Sequence, residues 1–243
     1  VISTHSSHIA IETTFGNLRY FKRLPEGTEC AVATSKVINL SDVFGDSDQT
    51  NKFVTRYLQS THCDLFFADA AILVEGVAES MLLPHFIRSK FPELYQRYIT
   101  ILGVNGRHAH RLSPLIEKLC LPTLVITDLD PAEKEGYHKS VVLKRGEGQI
   151  SGNYAIAKWL MKEKDIDKLV DYSEDKKEFS FASPYRFSIR LAYQTPVKVD
   201  FEGEEKEAIP GTFEDCLIYT NYDLFKKIKV TDSGNLVEQT HDL

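Results

Sequence analysis

The sequence predicts an α/β fold in which a sheet of parallel strands is flanked by helices. Three observations lead there. Apolar runs rich in β-branched residues recur at residues 70–74 (AAILV), 98–104 (YITILGV) and 123–127 (TLVIT). Such runs, apolar without alternation, mark strands buried on both faces of a parallel sheet. Segments with helical apolar spacing follow the first two, at 77–86 and 112–121. Finally, carboxylates stop the first and third runs, at Glu75 and Asp128. In open α/β sheets, ligands collect at the carboxyl ends of strands.

The whole chain bounds the answer. At 243 residues it holds one large domain or two smaller ones, and its 42% hydrophobic and 26% charged residues are ordinary for a soluble globular protein. No apolar run approaches the roughly 18–20 residues that span a bilayer, and no signal peptide opens the chain. A cytoplasmic protein without a membrane contact is expected. Cys30, Cys63, Cys120 and Cys216 form no CxxC pair, which disfavours disulfide scaffolds and zinc knuckles. The net charge of −6 argues against a protein that simply coats nucleic acid. It does not argue against an enzyme acting on nucleic acid, because acidic metal ligands make the sum negative while basic patches bind phosphates. The opening residues, VISTHSSHIA, read as a strand cut into mid-domain. The chain is expected to be a fragment of something longer.

Taken in order, the N-terminal residues suggest a short strand with His5 at its end, then a helix capped by Ser6 or Ser7. A capping histidine without chemistry is the plain reading of His5. Residues 19–25 (RYFKRLP) read as extended, and 27–39 as strand plus loop. The polar stretch 41–49 reads as a linker. Phe53, Val54, Tyr57, Leu58 and Leu65 have helical spacing and predict a helix over 52–65.

The central stretch is residues 70–80, AAILVEGVAES. Gly76 permits a tight turn after the strand. In the helix beyond it, Val77, Met81, Leu82 and His85 or Phe86 fall at helical spacing. Glu75 sits at the strand end and Glu79 one turn into the helix, so two carboxylates can face one point. A solvated charge at a strand end is the plain alternative.

The next strand ends in Asn105-Gly106, followed by Arg107, His108, Ala109, His110 and Arg111. Two histidines two apart point to opposite sides of a strand. On a loop with arginines they suit a phosphate or substrate, and a solvated loop is the alternative. Residues 112–121 predict a helix closed by Pro122. The third strand ends in Asp128-Leu129-Asp130-Pro131, with its aspartates on one face of an extended segment. If that strand neighbours the Glu75 strand, Glu75, Glu79, Asp128 and Asp130 converge. Four carboxylates together repel, which raises their pKa values and destabilises the fold unless a cation is present. Hard oxygen ligands favour Mg²⁺ or Mn²⁺.

Residues 139–148 (KSVVLKRGEG) form a basic, glycine-containing loop suited to phosphate, with Lys144 and Arg145. A helix with Ile156, Trp159 and Leu160 on its apolar face follows Ser151 and Asn153, and Trp159 reads as core. Residues 165–177 read as a solvated helix or loop. Residues 185–199 alternate as strands broken at Pro196, and the acidic 200–207 as an exposed loop or edge. Thr212 and Asp215 form a capping box for a last helix. Glu214 there is either a first-turn carboxylate favoured by the helix dipole or another metal ligand.

VEGVAES followed about fifty residues later by TDLD resembles the Glu-Gly-x-x-Glu and Asp-x-Asp signature of the Toprim domain. The longer context of LFFADAAILVEGVAES, GVNGRHAH, PTLVITDLD, LAYQTPV and GTFEDCLIYTN is similar to the overcoming-lysogenization-defect (OLD) family of ATP-dependent endonucleases. In that family an ABC-type ATPase precedes the Toprim domain, and VISTHSSH resembles the last strand and histidine switch of such an ATPase. The resemblance divides the chain into an ATPase remnant (1–24), a connecting segment with a lead-in helix (25–64), and a Toprim nuclease domain (65–243) with a mostly helical insert at about 140–190.

The resemblance implies two-metal cleavage of DNA phosphodiesters, with Glu75, Glu79, Asp128 and Asp130 as catalytic metal ligands and Glu214 as a further one. Arg107, Arg111, Lys144 and Arg145 would contact DNA phosphates, and His5 would serve as a nucleotide switch. It suggests a homodimer. It also suggests a lysine near the C-terminus, for which Lys226, Lys227 and Lys229 are candidates unless it lies beyond this chain. No GxxxxGK[ST] motif is present, so ATP would act only through an N-terminal ATPase domain. Two alternatives stand beside this reading. One is a non-catalytic Toprim-like module for dimerisation or partner binding. The other is primase or topoisomerase chemistry, for which neither zinc-binding cysteines nor a nucleophilic tyrosine is identifiable.

Overall fold

In the computed structural model, the described residues are 1–6, 9, 12, 17–24, 26, 31–41, 43, 57, 62–104, 108–134, 141–182, 185–201 and 203–225. Strands β1 (Arg19–Leu24) and β2 (Thr34–Asn39) pair antiparallel. Strand β3 (Ala70–Val74) leads into α1 (Val77–Lys90) and the short α2 (Pro92–Tyr95), and then come β4 (Ile99–Gly103), α3 (Ser113–Leu119) and β5 (Thr123–Ile126). The two-residue strands β6 (Pro131–Ala132) and β7 (Ile150–Ser151) pair with one another. Beyond them lie α4 (Ile166–Val170), β8 (Glu178–Phe181) and β9 (Phe187–Ala192). An antiparallel pair, β10 (Val197–Phe201) and β11 (Glu204–Ala208), precedes α5 (Phe213–Thr220) and α6 (Tyr222–Phe225).

The central sheet has the order β4-β3-β5-β9-β8. Its first four strands are parallel and β8 runs antiparallel at the edge. The apolar run of β3 follows from its place: Ala71, Ile72, Leu73 and Val74 are all buried. Alternate residues face opposite sides of a strand. Ala71 and Leu73 join the main core with Leu102, Val125 and the α3 residues Leu115, Ile116 and Leu119. Ile72 and Val74 join a second cluster with Ile87 and Leu83 of α1. The parallel sheet and its flanking helices match the expected α/β class.

Helix α1 exposes a different face from the expected one. Val77 and Met81 are exposed, while the row Glu79, Leu83 and Ile87 turns inward. Residues four apart share a helix face, so burying Leu83 and Ile87 carries Glu79 inward with them. The C-terminus of α3 has a fitting cap. Lys22 Nζ donates to the carbonyls of Leu119 (2.5 Å) and Cys120 (3.0 Å), where a cation meets the negative end of the helix. Burial pulls the Lys22 pKa down.

Several expectations need correction. Residues 140–190 are only partly helical. Among the described residues they hold one turn of π-helix (Ala155–Trp159), the short α4 and a 3-10 turn (Glu174–Lys177). From Glu178 the same segment supplies β8 and most of β9, because its alternating apolar residues Phe187, Ile189 and Leu191 complete the central sheet. Residues 165–177 are not simply solvated: Ile166, Leu169 and Val170 are buried, and so is Lys177, held by Glu174 at 2.8 Å and by the Tyr193 ring. Residues 1–6 have no strand and His5 is exposed. A strand needs a neighbour to take its backbone hydrogen bonds, and among the described residues none pairs there.

Trp159 packs against the main core as expected, its indole N–H donating to Glu117 Oε1 at 3.1 Å. The break at Pro196, the exposed edge at Glu204–Glu207 and the Thr212–Asp215 capping box are all present. Most of the helix expected over 52–65 and the cap at Ser7 lie outside the described residues. Cys63, Cys120 and Cys216 are free thiols. Among the described residues no helix is long and apolar enough to cross a membrane.

Candidate active site

Parallel strands bring their carboxyl ends to one edge of the sheet, and the register decides which residues become neighbours there. Leu73 pairs with Val125, and Ile126 with Ala192. Counting on, Glu75 falls opposite Thr127, and Asp128 opposite Gln194. Both neighbour pairs are hydrogen-bonded. Thr127 Oγ1 donates to Glu75 Oε1 at 2.5 Å, and Gln194 Nε2 donates to Asp128 Oδ1 at 2.5 Å. Adjacency of the β3 and β5 ends, the condition for the acidic residues to meet, is therefore fulfilled.

A third segment closes the site from beyond β7. Asn153 Nδ2 donates to Glu75 Oε1 at 2.6 Å and to Thr127 Oγ1 at 2.7 Å. Its Oδ1 accepts from the Ala155 N–H at 2.9 Å, which fixes the carboxamide. Gln194 is anchored in the same manner, its Oε1 accepting from the Leu129 N–H at 3.1 Å. The Gly152 N–H donates to the Asp130 carbonyl at 2.9 Å, holding this segment against the Asp-x-Asp turn. Asp130 itself has φ +49, in the left-handed region that aspartate tolerates better than most residues. It therefore does not continue the extended segment on which the two aspartates were expected to share a face.

Glu79 shows why glycine precedes the helix. A Cβ on Gly76 would lie 2.5 Å from Glu79 Oε2, so the carboxylate fits only because residue 76 has no side chain. The backbone there is ordinary, with φ −113. The glycine serves close approach rather than an unusual turn. Glu79 is 3% exposed, and its Oε2 finds no hydrogen-bond partner among the described residues. A buried carboxylate oxygen left without a donor costs on the order of 1–3 kcal/mol, more when charged.

The charges act on one another. Burial pushes Asp128 up to about 7; the Gln194 hydrogen bond opposes this, and the charges of Glu75, Glu79 and Asp130 add to it. Burial also raises Glu75, against hydrogen bonds from Thr127, Asn153 and the Asp128 backbone, and Asp130 adds repulsion. All four predicted carboxylates thus lie within electrostatic reach at one edge. They are not drawn into a finished ligand cluster: among the described residues no three His, Cys, Asp or Glu side chains are grouped so as to hold a metal ion. One oxygen of Glu75 and one of Asp128 are already tied by hydrogen bonds, and mutual repulsion works against closer approach. The donor set still suits a divalent cation. It is hard, anionic and oxygen-only, and it includes a buried oxygen in need of a positive partner.

The other predicted residues are scattered. Glu214 is exposed in the first turn of α5, and Asp215, not Glu214, caps that helix. The helix begins near the site, since a Cβ on Gly211 would lie 3.9 Å from Pro131 Cγ. Arg111 is half-buried on the 3-10 turn after β4 (Ala109–Leu112). On the same stretch, His110 packs edge-on against Tyr154 at 5.5 Å, and burial with the Arg111 charge lowers the His108 pKa. Lys144 is exposed. Arg145 is engaged with Asp171 (2.7 Å) and Glu207 (3.3 Å). Arg107, Lys226, Lys227 and Lys229 lie outside the described residues. Thr127, Asn153 and Gln194 had no predicted role, although each lies in a stretch with recognisable features. For Thr127 and Gln194 the signal was polar residue type at the end of an apolar or alternating run; Asn153, after Ser151 and Gly152, had no such signal.

A parallel sheet with Glu-Gly-x-x-Glu after one strand and Asp-x-Asp after its neighbour is a Toprim-type arrangement. Residues 66–130 match the family model described as "Overcoming lysogenization defect protein-like, TOPRIM domain". The chain therefore contains an OLD-like TOPRIM segment. Over its whole length it is 27% identical to "Endonuclease GajA" of Bacillus cereus (strain HuB5-5). That alignment takes in 100% of this chain and 34% of the relative, so the chain spans about a third of the length of the curated relative it matches.

Proposed function

We propose that this chain is the nuclease part of a longer ATPase–nuclease and hydrolyses DNA phosphodiesters at the Glu75–Asp128 edge of its sheet. The observation that carries this reading is Glu79. A carboxylate 3% exposed, with an oxygen lacking any donor among the described residues and with Glu75, Asp128 and Asp130 nearby, calls for a cation on electrostatic grounds alone. The TOPRIM match and the relative, an endonuclease by name, support the choice of reaction.

Glu75, Glu79, Asp128 and Asp130 would hold Mg²⁺ or Mn²⁺, with Glu214 as an added ligand from α5. When bound, two such ions would lower the pKa of a water and offset charge developing on a leaving oxygen. The protein contributes position. The strand ends hold Glu75 and Asp128 side by side, and the Leu83–Ile87 contacts of α1 hold Glu79 over Gly76. Arg111, on the turn after β4, is the basic candidate at the same edge and would orient a phosphate without reading sequence. ATP would act only through an N-terminal ATPase domain, with His5 as its nucleotide switch, and the partner copy would be a second identical chain.

The test is nicking of supercoiled plasmid DNA by the full-length protein with Mg²⁺ or Mn²⁺. Glu75→Ala and Asp128→Ala should each abolish it. Unchanged nicking in either variant contradicts the site.

A further inference from the structure

The carboxylates Glu75 and Asp128 are held alike by unrelated parts of the chain. Each has one oxygen accepting from a buried carboxamide, Asn153 at 2.6 Å and Gln194 at 2.5 Å. Asn153 has no exposure and Gln194 has 7%. In each carboxamide the oxygen is occupied by a backbone N–H, of Ala155 for Asn153 and of Leu129 for Gln194. That anchoring fixes the orientation, because only the NH₂ end remains to face the carboxylate. Thr127, 1% exposed, adds its hydroxyl to the Glu75 oxygen that Asn153 holds. Packing alone does not explain two amides here. Burying an amide costs free energy unless it is hydrogen-bonded, and an apolar side chain fills the same space without that cost.

We propose that Asn153 and Gln194 are positioning residues for the cation site, each tying one oxygen of a carboxylate and leaving the other for the metal. Glu75 Oε1 and Asp128 Oδ1 are the oxygens the carboxamides tie; Glu75, which also accepts from the Asp128 backbone, keeps Oε2 and Asp128 keeps Oδ2 outside the carboxamide bonds. Thr127 supports the Glu75 half. Outer hydrogen bonds of this kind fix the rotamer of a ligand, and their loss typically weakens metal affinity about 10–100-fold. The inference rests on the reading of Glu75 and Asp128 as metal ligands.

The experiment is a Mn²⁺ titration of the whole protein, followed by the electron paramagnetic resonance signal of free Mn²⁺, with thermal melting of the metal-free protein alongside. Glu75→Gln is the control for the site. Gln194→Met and Asn153→Ala should each raise the Mn²⁺ dissociation constant about tenfold or more. Thr127→Val should raise it several-fold, and Thr127→Ser, which keeps the hydroxyl, should restore it. Lower melting temperatures with an unchanged Mn²⁺ constant would assign these residues to folding alone and overturn the proposal. If Gln194→Met or Asn153→Ala fails to fold, the Thr127→Val and Thr127→Ser pair decides by the same criterion. Mn²⁺ binding that is the same in wild-type protein and in Glu75→Gln overturns the site and this inference together. Wild-type binding that needs Glu75 but ignores the amides and Thr127 overturns this inference alone.

Discussion

The acidic edge and the basic loops of this molecule were both marked by residue type, and the fold treats them differently. Glu75 and Asp128 follow adjacent parallel strands, so register alone sets them side by side. Each is then held by hydrogen bonds from buried side chains. Lys144 and Arg145 sit on a loop before β7, where no register acts. Arg145 is drawn to Asp171 and Glu207 instead of to the sheet edge. Charges at strand ends inherit a position from the sheet. Charges on loops take the nearest counter-ion.

The largest effects should come from the edge itself. Removal of Glu75 or Asp128 as alanine should lower plasmid nicking by about 10³-fold or more, in line with loss of a charge-stabilising group at a reaction centre. Activity within a fewfold of wild type would break the contrast between edge and loop.

Next comes Gly76→Ala. The added Cβ would lie 2.5 Å from Glu79 Oε2, so the flexible Glu79 side chain must move while the backbone stays. Mn²⁺ affinity should fall about 10–100-fold, and the melting temperature should change little. A variant that unfolds would show instead that Gly76 is needed for the turn.

Stability should respond in the opposite sense to function at Asp128. Its folded pKa of about 7 lies above the ordinary 3.8. The folded state therefore keeps a proton that the unfolded state has lost, and stability falls as pH rises across that window. Above it the ionised carboxylate destabilises the metal-free fold. Asp128→Asn should stabilise the metal-free protein by about 1–3 kcal/mol at pH 8, with the gain vanishing near pH 4. Urea unfolding at both pH values reads this directly. Equal stability at pH 8 would mean that burial and repulsion at this edge are weaker than described.

The smallest effect should come from Arg145→Ala. An exposed guanidinium paired with two exposed carboxylates contributes about 0–1 kcal/mol. DNA affinity, measured by fluorescence anisotropy, should change less than about threefold. A tenfold loss would return Arg145 to the DNA surface and sharpen the account of the loop.

The sheet was legible because burial on both faces leaves apolar runs such as Ala70–Val74, and the acidic pair was legible because Glu75 and Asp128 interrupt such runs. The face of α1 was not. Met81 and Val77 share its helical spacing with Leu83 and Ile87, and only packing on Ile72 and Val74 selects between them. Nor were Asn153 and Gln194 legible as partners of the carboxylates, because each meets its carboxylate across more than sixty residues of chain. The alternation over residues 185–192 was legible as strand, but β8 (Glu178–Phe181) was not, and neither was the place of β9 beside β5, a contact that no local pattern encodes.

Everything proposed for this edge depends on its carboxylates holding divalent cations. Anomalous diffraction from a Mn²⁺-soaked crystal tests it most directly. A peak is expected in contact with Glu75, Glu79 and Asp128, with Glu79 Oε2 among the ligands. A well-occupied peak elsewhere, with no density beside these three carboxylates, would contradict it.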